Sequence, residues 1–476
     1  MPDESLTPCK ALRIFHPEKQ SVMNHLLKSI FLLLAASIAP SAQADALTGA
    51  WRGELTLGQH KLPLVFNFSE PTTGKTACTI DSPSQGAKGI ATNVTFCSQD
   101  SIALECAVIG ASFSGKISSG SIAGTFSQRG YSFPLNLTPE SPLEDRRPQT
   151  PKPPFPYNIT DTVFTAPDGA VMSATLTMPA IATAGKVPAI VMVTGSGPQN
   201  RDEEILEHRP FAVIADFLAR NGIASLRYDD RGTGRSTGDF HNATTHTFKE
   251  DAASGIRFLR TITGIDNVGV LGHSEGGTIA FMLGAEKAPD FIISLAGMSV
   301  QGKETLIMQN GRALDKAGLN GDDKKNTLTL MGIVFDSIAA QHRQGISTPI
   351  DVDSICRASG ANVPPQIVSS LKMTATTRTP WIDAFIDLDP GEYIGKVKCP
   401  MLAINGDKDT QVEASANISI IRKMAPHAET EILPGLNHLM QHCATGDASE
   451  YGEIRETIAP EALDAILRFI IKTTQK

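Results

Sequence analysis

The stretch from Asn267 to Ala288 leaves few folds open. It starts as a short apolar run, Val268 to Leu271, and passes through Gly272-His273-Ser274-Glu275-Gly276-Gly277. It continues as Thr278-Ile279-Ala280-Phe281-Met282-Leu283, a good helix former. Strand, tight turn and helix together form the setting that a G-x-S-x-G serine elbow requires. The turn is so sharp that only small residues can flank the serine closely. The helix that follows points its N-terminus at whatever the serine attacks. The same pattern recurs at Gly234-Arg235-Ser236-Thr237-Gly238. There the apolar run Ile223 to Leu226 ends several residues earlier and no helix opens afterwards, so the second copy reads as a loop.

Length and composition set the outer bounds. The chain has 476 residues, more than one ordinary domain. Hydrophobic residues make up 41% and charged residues 19%, as in globular proteins. A net charge of −8 without a basic cluster argues against nucleic acid and anionic membrane surfaces as partners.

Residues 1–44 read as a targeting segment: a polar extension at 1–22, a short positive region around Lys28, an apolar run Ile30 to Ala36, and Ala42-Gln43-Ala44 as an A-x-A cleavage site. The mature chain would start at Asp45, periplasmic or secreted. The apolar run is too short for a membrane span, and no cysteine marks the cleavage site for a lipid anchor. Cys78, Cys97, Cys106, Cys356, Cys399 and Cys443 would remain. One disulfide within the N-terminal part and six free thiols are both open readings. No cysteine or histidine spacing is that of a metal site, and no cofactor is implied.

From residue 45 to 138 the chain is rich in Gly, Ser, Thr and β-branched residues in short alternating runs, the pattern of an antiparallel β barrel or sandwich. Either a structural part or a ligand-selecting one would fit it. Residues 139–157 form a linker carrying Pro139, Pro142, Pro148, Pro151, Pro153, Pro154 and Pro156. From 158 to 476, strands and helices alternate, which predicts a mostly parallel sheet with helices on both faces. A helical stretch at about 298–395 interrupts that alternation. An insertion there caps the carboxyl ends of the strands, so it reads as a lid, with Trp381 and Phe385 as pocket lining or as lid packing.

A serine hydroxyl needs a base, and the base needs a group that holds its tautomer. In a parallel sheet the usable positions follow strand ends. Asp407 and Asp409 follow the strand Pro400–Asn405; Asp409 is preferred, with Asp407 closing the turn. His438 follows the last strand and a Pro-Gly turn, and is preferred to His442; His427 lies at the wrong edge. His273 should point away from the serine into the fold. The catalytic candidates are therefore Ser274, Asp409 and His438. The backbone N–H of Glu275, with that of Ser196 or Gly197, would form the oxyanion hole.

These residues carry a resemblance. Residues 158–476 resemble the α/β-hydrolase superfamily, and within it the exported bacterial carboxylesterases that have an N-terminal β domain. The motifs are T-G-S-G-P-Q at 194–199, Y-D-D-R-G-T-G-R-S at 228–236, G-H-S-E-G-G at 272–277, P-W at 380–381, G-D-K-D-T-Q-V at 406–412 and G-L-N-H at 435–438. Gly49-Ala50-Trp51-Arg52-Gly53 and Asp81 to Gly86 are similar to that β domain. The resemblance implies a Ser-His-Asp hydrolase acting on a small-molecule ester, and it supports the choice of Asp409. Two other readings stay open: a serine aminopeptidase or acyltransferase of the same fold, and a non-catalytic binding module. An aminopeptidase would need a carboxylate for the substrate amine, and Glu203, Glu204 and Asp383 are the candidates. Homo-oligomerisation is open as well.

Overall fold

A computed structural model describes residues 47–57, 60–69, 76–85, 87–141, 146–180, 186–360 and 362–474. The targeting segment read at 1–44 lies outside them. The chain forms two units, divided between Arg146 and Arg147, inside the proline-rich stretch.

The first unit is a closed barrel of eight strands in sequence order. These are β1 (Gly49–Leu57), β2 (His60–Ser69), β3 (Ala77–Ser82), β4 (Ala87–Cys97), β5 (Ser101–Cys106), β6 (Ala111–Ser118), β7 (Ser121–Gln128) and β8 (Tyr131–Pro139). All neighbours are antiparallel, and β1 pairs with β8 through Trp51 opposite Pro139 and Arg52 opposite Thr138. Closure removes the exposed strand edges that an open sheet would leave. Leu55, Leu64, Phe66, Phe113, Ile122, Phe126, Leu135 and Leu137 are buried in its core. A Cβ on Gly124 would lie 2.6 Å from the Phe113 ring and 2.4 Å from the Ser114 carbonyl. Glycine is required there because the aromatic ring occupies that space. All six cysteines among the described residues are free thiols.

The second unit carries an eight-stranded sheet of order β16-β15-β14-β13-β11-β12-β10-β9. β9 (Tyr157–Thr165) and β10 (Val171–Pro179) form an antiparallel hairpin. Then come β11 (Val187–Val193), β12 (Ala224–Tyr228), β13 (Ile265–His273), β14 (Ile292–Leu295), β15 (Met401–Gly406) and β16 (Glu429–Leu433), all parallel to one another. Alternation along the strands sorts the core. Val191, Val193 and Val270 face one side, with Ile279 and Met282. Ile190, Met192 and Leu271 face the other, with Phe211, Ile214 and Phe469. Strands buried on both faces read as unbroken apolar runs, as β11 does.

Helices α1 (Pro210–Arg220), α2 (Thr245–Arg260) and α3 (Glu275–Ala285) alternate with these strands. α2 opens on a reciprocal cap between Thr244 and Thr247. Between β14 and β15 lie α4 (Gly302–Lys316), α5 (Gly321–Arg343), α6 (Val352–Ser359), α7 (Pro365–Thr376), α8 (Pro380–Asp387) and α9 (Gly391–Ile394). α10 (Ala414–Met424) and α11 (Pro460–Thr474) complete the unit. Leu330, Val334, Phe335, Ile338, Leu371 and Ile386 give the inserted helices a core of their own.

Residues 147–149 are held as part of the second unit. The buried Arg147 guanidinium donates to the carbonyls of Leu206, Gly452 and Ile454. Gln149 Nε2 donates to Ile458 O at 2.7 Å.

Candidate active site

All the parallel strands end at one edge of the sheet, and the motif residues gather there. Ser274 sits between β13 and α3 with φ 55 and ψ −119, a conformation non-glycine residues rarely adopt. Its N–H donates to Leu295 O at 2.9 Å. A Cβ on Gly272 would lie 1.9 Å from Gly276 O, and one on Gly276 would lie 2.1 Å from Val193 O. Both obstacles are backbone, so the two glycines of the motif are steric necessities. The Ser274 side chain does not cap α3.

The second G-x-S-x-G copy is structural. The buried Ser236 hydroxyl donates to Asp229 O at 2.7 Å and accepts from Ser173 N at 2.8 Å.

Asp409 and His438 come together from adjacent strand ends. Asp409 Oδ1 accepts from the N–H groups of Gln411 and Val412, both at 2.8 Å. That leaves Oδ2 for His438 Nδ1, at 2.8 Å. Both side chains are almost fully buried, at 0% and 5% exposure. The Asp409 carboxylate therefore fixes the His438 tautomer with Nδ1 protonated, which leaves the free lone pair on Nε2. His442 turns elsewhere: half exposed, it pairs with Glu456 at 2.9 Å. Asp407 also takes a different role, because Oδ1 accepts from Gly435 N across the next loop, tying that loop to the end of β15. Asn437 braces the His438 loop from inside, accepting from Leu439 N and Gln441 N.

The loop after β11 packs against the elbow. A Cβ on Gly195 would lie 3.2 Å from Ser274 Cβ. The Gly195 N–H is already engaged, donating to Glu203 Oε1 at 2.8 Å. Asp230 holds both ends of the loop, through Thr194 Oγ1 at 2.8 Å and Gln199 N at 2.9 Å. Burial raises the Asp230 pKa to about 8, against the opposing pull of its two hydrogen bonds. Sequence reasoning assigned no role to Asp230. Its place after a strand end in a Tyr-Asp-Asp-Arg run was a signal, but nothing local showed that its partners lie some thirty residues upstream.

Glu275, the residue after Ser274, is wholly buried. Its carboxylate accepts from Thr245 Oγ1 at 2.7 Å and from Trp381 Nε1 at 3.0 and 3.1 Å, and the Ser196 hydroxyl bonds to it too. Burial still leaves its pKa above the ordinary value. The side chains of Glu275 and Ser196 are thus joined beside the elbow. Phe385 is buried, and its ring lies 4.9 Å from that of Trp381.

His273 was expected to turn away into the fold. It is buried, but its ring lies 4.8 Å from the His438 ring. Nδ1 meets Glu203 Oε1 at 2.9 Å and Nε2 meets His438 O at 2.9 Å. Of the three acids proposed for a substrate amine, Glu203 is occupied as above and Glu204 pairs with Arg209 at 3.2 Å, whereas Asp383 lies 3.4 Å from Arg378 and its buried Oδ1 accepts no hydrogen bond. Asp383 and Arg378 line a cavity of about 290 Å³ among the inserted helices, with His342 and Ile346. Among the described residues, no group of three or more His, Cys, Asp or Glu is arranged to hold a metal ion.

Known proteins add the following. Residues 168–442, more than half of the chain, match the profile of the family described as X-Pro dipeptidyl-peptidase (S15 family). Esterase EstD of Thermotoga maritima is 24% identical over 261 residues, which are 54% of this chain and 55% of that esterase. The chain thus spans about half the length of that relative. An acyl transferase of Photobacterium phosphoreum is 30% identical over 89 residues, 18% of this chain and 29% of its own. Among solved structures, the α/β hydrolase GrgF from Penicillium sp. sh18 covers 67% of this chain and all of its own, at 16% identity and a TM-score of 0.43.

Proposed function

The chain belongs to the X-Pro dipeptidyl-peptidase (S15) family, and from that premise we propose that its serine-hydrolase site cleaves carboxylic esters through an acyl-enzyme. The observation that carries the reading is the division of labour on Asp409. One oxygen is fixed by two backbone N–H groups, and the other orients His438, at the sheet edge where Ser274 is held in a strained elbow.

In the proposed mechanism Ser274 Oγ attacks the ester carbonyl, and His438 Nε2 takes its proton. Asp409 stabilises the imidazolium that forms. The N–H groups of Glu275 and of Ser196 or Gly197 hold the oxyanion; Gly195 is excluded because Glu203 occupies its N–H. His438 then returns the proton to the leaving alcohol, and water repeats the sequence to release the acid. The inserted helices act as a lid, attached to the elbow through Trp381 and Glu275. The reading includes export to the periplasm or medium, from the segment at 1–44.

Esters are favoured over peptides because Glu203 and Glu204 are already paired and the charge of Asp383 is balanced by the Arg378 guanidinium 3.4 Å away. A peptidase remains the second reading, favoured by the family itself. The deciding assay compares wild type with Ser274→Ala on p-nitrophenyl acetate and butyrate, and on an X-Pro p-nitroanilide. Ester hydrolysis that falls by four or more orders of magnitude in the variant is expected, in line with the usual cost of removing a serine nucleophile (about 10⁶). Equal ester rates overturn the proposal, and anilide turnover above ester turnover selects the peptidase.

A further inference from the structure

We propose that His273 and Glu203 form a buried imidazolium–carboxylate pair that positions the oxyanion loop and the His438 loop together, and that its positive ring disfavours protonation of His438. The proposal rests on the reading of His438 as the catalytic base.

The hydrogen-bond geometry determines where the protons sit. His273 Nε2 faces the His438 carbonyl at 2.9 Å. A carbonyl only accepts, so Nε2 carries a hydrogen. His273 Nδ1 faces Glu203 Oε1 at 2.9 Å, and the same oxygen accepts from Gly195 N at 2.8 Å. A neutral ring with its hydrogen on Nε2 would point an Nδ1 lone pair at a carboxylate oxygen. One proton must lie between them, and imidazole is the stronger base, at about 6.5 against about 4.3 for a glutamate. The ring is then doubly protonated and Glu203 is ionised.

The surroundings fit that assignment. The loop after β11 contributes Glu203, the loop after β15 Asp409 and the loop after β16 His438, while Asp230 at the end of β12 and Glu275 at the start of α3 lie within electrostatic reach of one another, and Asp230 of Glu203. Burial, the largest influence on His273, opposes its charge, but Glu203, the His438 carbonyl and Asp409 together carry its pKa above the ordinary histidine value. Glu203 holds its position with φ 53, in the left-handed region that a glutamate seldom occupies.

Two consequences follow for the reaction. A single carboxylate fixes Gly195, next to the proposed oxyanion donors, and through His273 it fixes the backbone of the base. The positive ring, 4.8 Å from the His438 ring, opposes a second imidazolium beside it. His273 and Glu203 are positioning residues and do not touch the reacting atoms.

The test uses ¹⁵N-histidine NMR on the full chain carrying Ser274→Ala, so it does not depend on any activity. The expected result is a His273 ring with both nitrogens protonated at pH 7. Adding Glu203→Gln should turn that ring neutral and move the His438 titration midpoint up by about 0.5–1 pH unit. If Glu203→Gln fails to fold, His273→Gln replaces it, since its amide keeps a donor for the His438 carbonyl without the charge; the same upward shift is expected. A neutral His273 in the parent, or a His438 midpoint that does not move, overturns the proposal. With the nucleophile restored, the acid limb of kcat/KM should follow the His438 midpoint; a fall in kcat with an unmoved limb likewise overturns the proposal. If the wild type hydrolyses no ester, the functional reading fails, while the NMR outcome still decides the pair.

Discussion

Trp381 Nε1 lies 3.0 and 3.1 Å from the two carboxylate oxygens of Glu275, which links the inserted helices to the first residue of the helix after Ser274. The indole N–H is one of three donors that stabilise a buried charge beside the elbow. Trp381→Phe keeps most of the packing against Phe385 and removes that donor. Loss of a hydrogen bond to a charged buried group costs about 1.5–3 kcal/mol. We expect a lower unfolding midpoint in urea together with a reduced kcat, read from the same preparation. A variant that loses neither would mean that the latch contributes nothing.

Asp230 predicts an unusual pH dependence of stability. Its folded pKa is raised to about 8, above the ordinary carboxyl value of about 3.9. The unfolded state therefore releases this proton first as pH rises. Its contribution is fully present below about pH 4, is lost progressively up to about pH 8, and is constant above that. Asp230→Asn removes the dependence, because an amide does not titrate, while its Oδ1 can still accept from Gln199 N, as the carboxyl does, and its Nδ2 can face Thr194 Oγ1. Urea unfolding between pH 5 and 8 should show a slope shallower by about 1.4 kcal/mol per pH unit in the variant. An unchanged slope rejects the assignment.

Asp409→Asn should leave the fold intact and remove the chemistry. Its Oδ1 can still accept from Gln411 and Val412, so the amide turns toward His438. An N–H donor there selects the wrong tautomer, which costs on the order of 10⁴ in kcat in serine hydrolases of this type. Ester turnover and fluorophosphonate labelling should fall together while the melting temperature stays within a few degrees. Labelling at the wild-type rate would remove Asp409 from the mechanism.

Ser236→Ala and Gly276→Ala separate pattern from site. The Ser236 hydroxyl makes two buried backbone hydrogen bonds, so its loss should destabilise by about 1–3 kcal/mol and leave fluorophosphonate labelling stoichiometric. Gly276→Ala places a methyl 2.1 Å from Val193 O and 2.6 Å from Thr194 O, neither of which can rotate away. We expect that variant to accumulate as insoluble protein, with any soluble fraction unlabelled.

Periodicity alone revealed the elbow, the alternating strands and helices, and the all-β character of the first unit, because each is a local matter of spacing and small residues. Ser274, Asp409 and His438 could be named since each follows a strand of the alternating pattern, and a parallel sheet brings all such ends to one edge. Closure of the β unit into a barrel was not legible, since the pairing of Trp51 with Pro139 spans nearly the whole unit. Nor were the partners of His273: its ring meets Glu203, seventy residues earlier, and a carbonyl 165 residues later. The sequence by itself determined which residues stand at strand ends, through short apolar runs that stop at turn residues and the steric demands of a turn. Only the tertiary structure decided which acid faces which base, because that depends on loops from different strands packing against one another, and no local pattern records their distance.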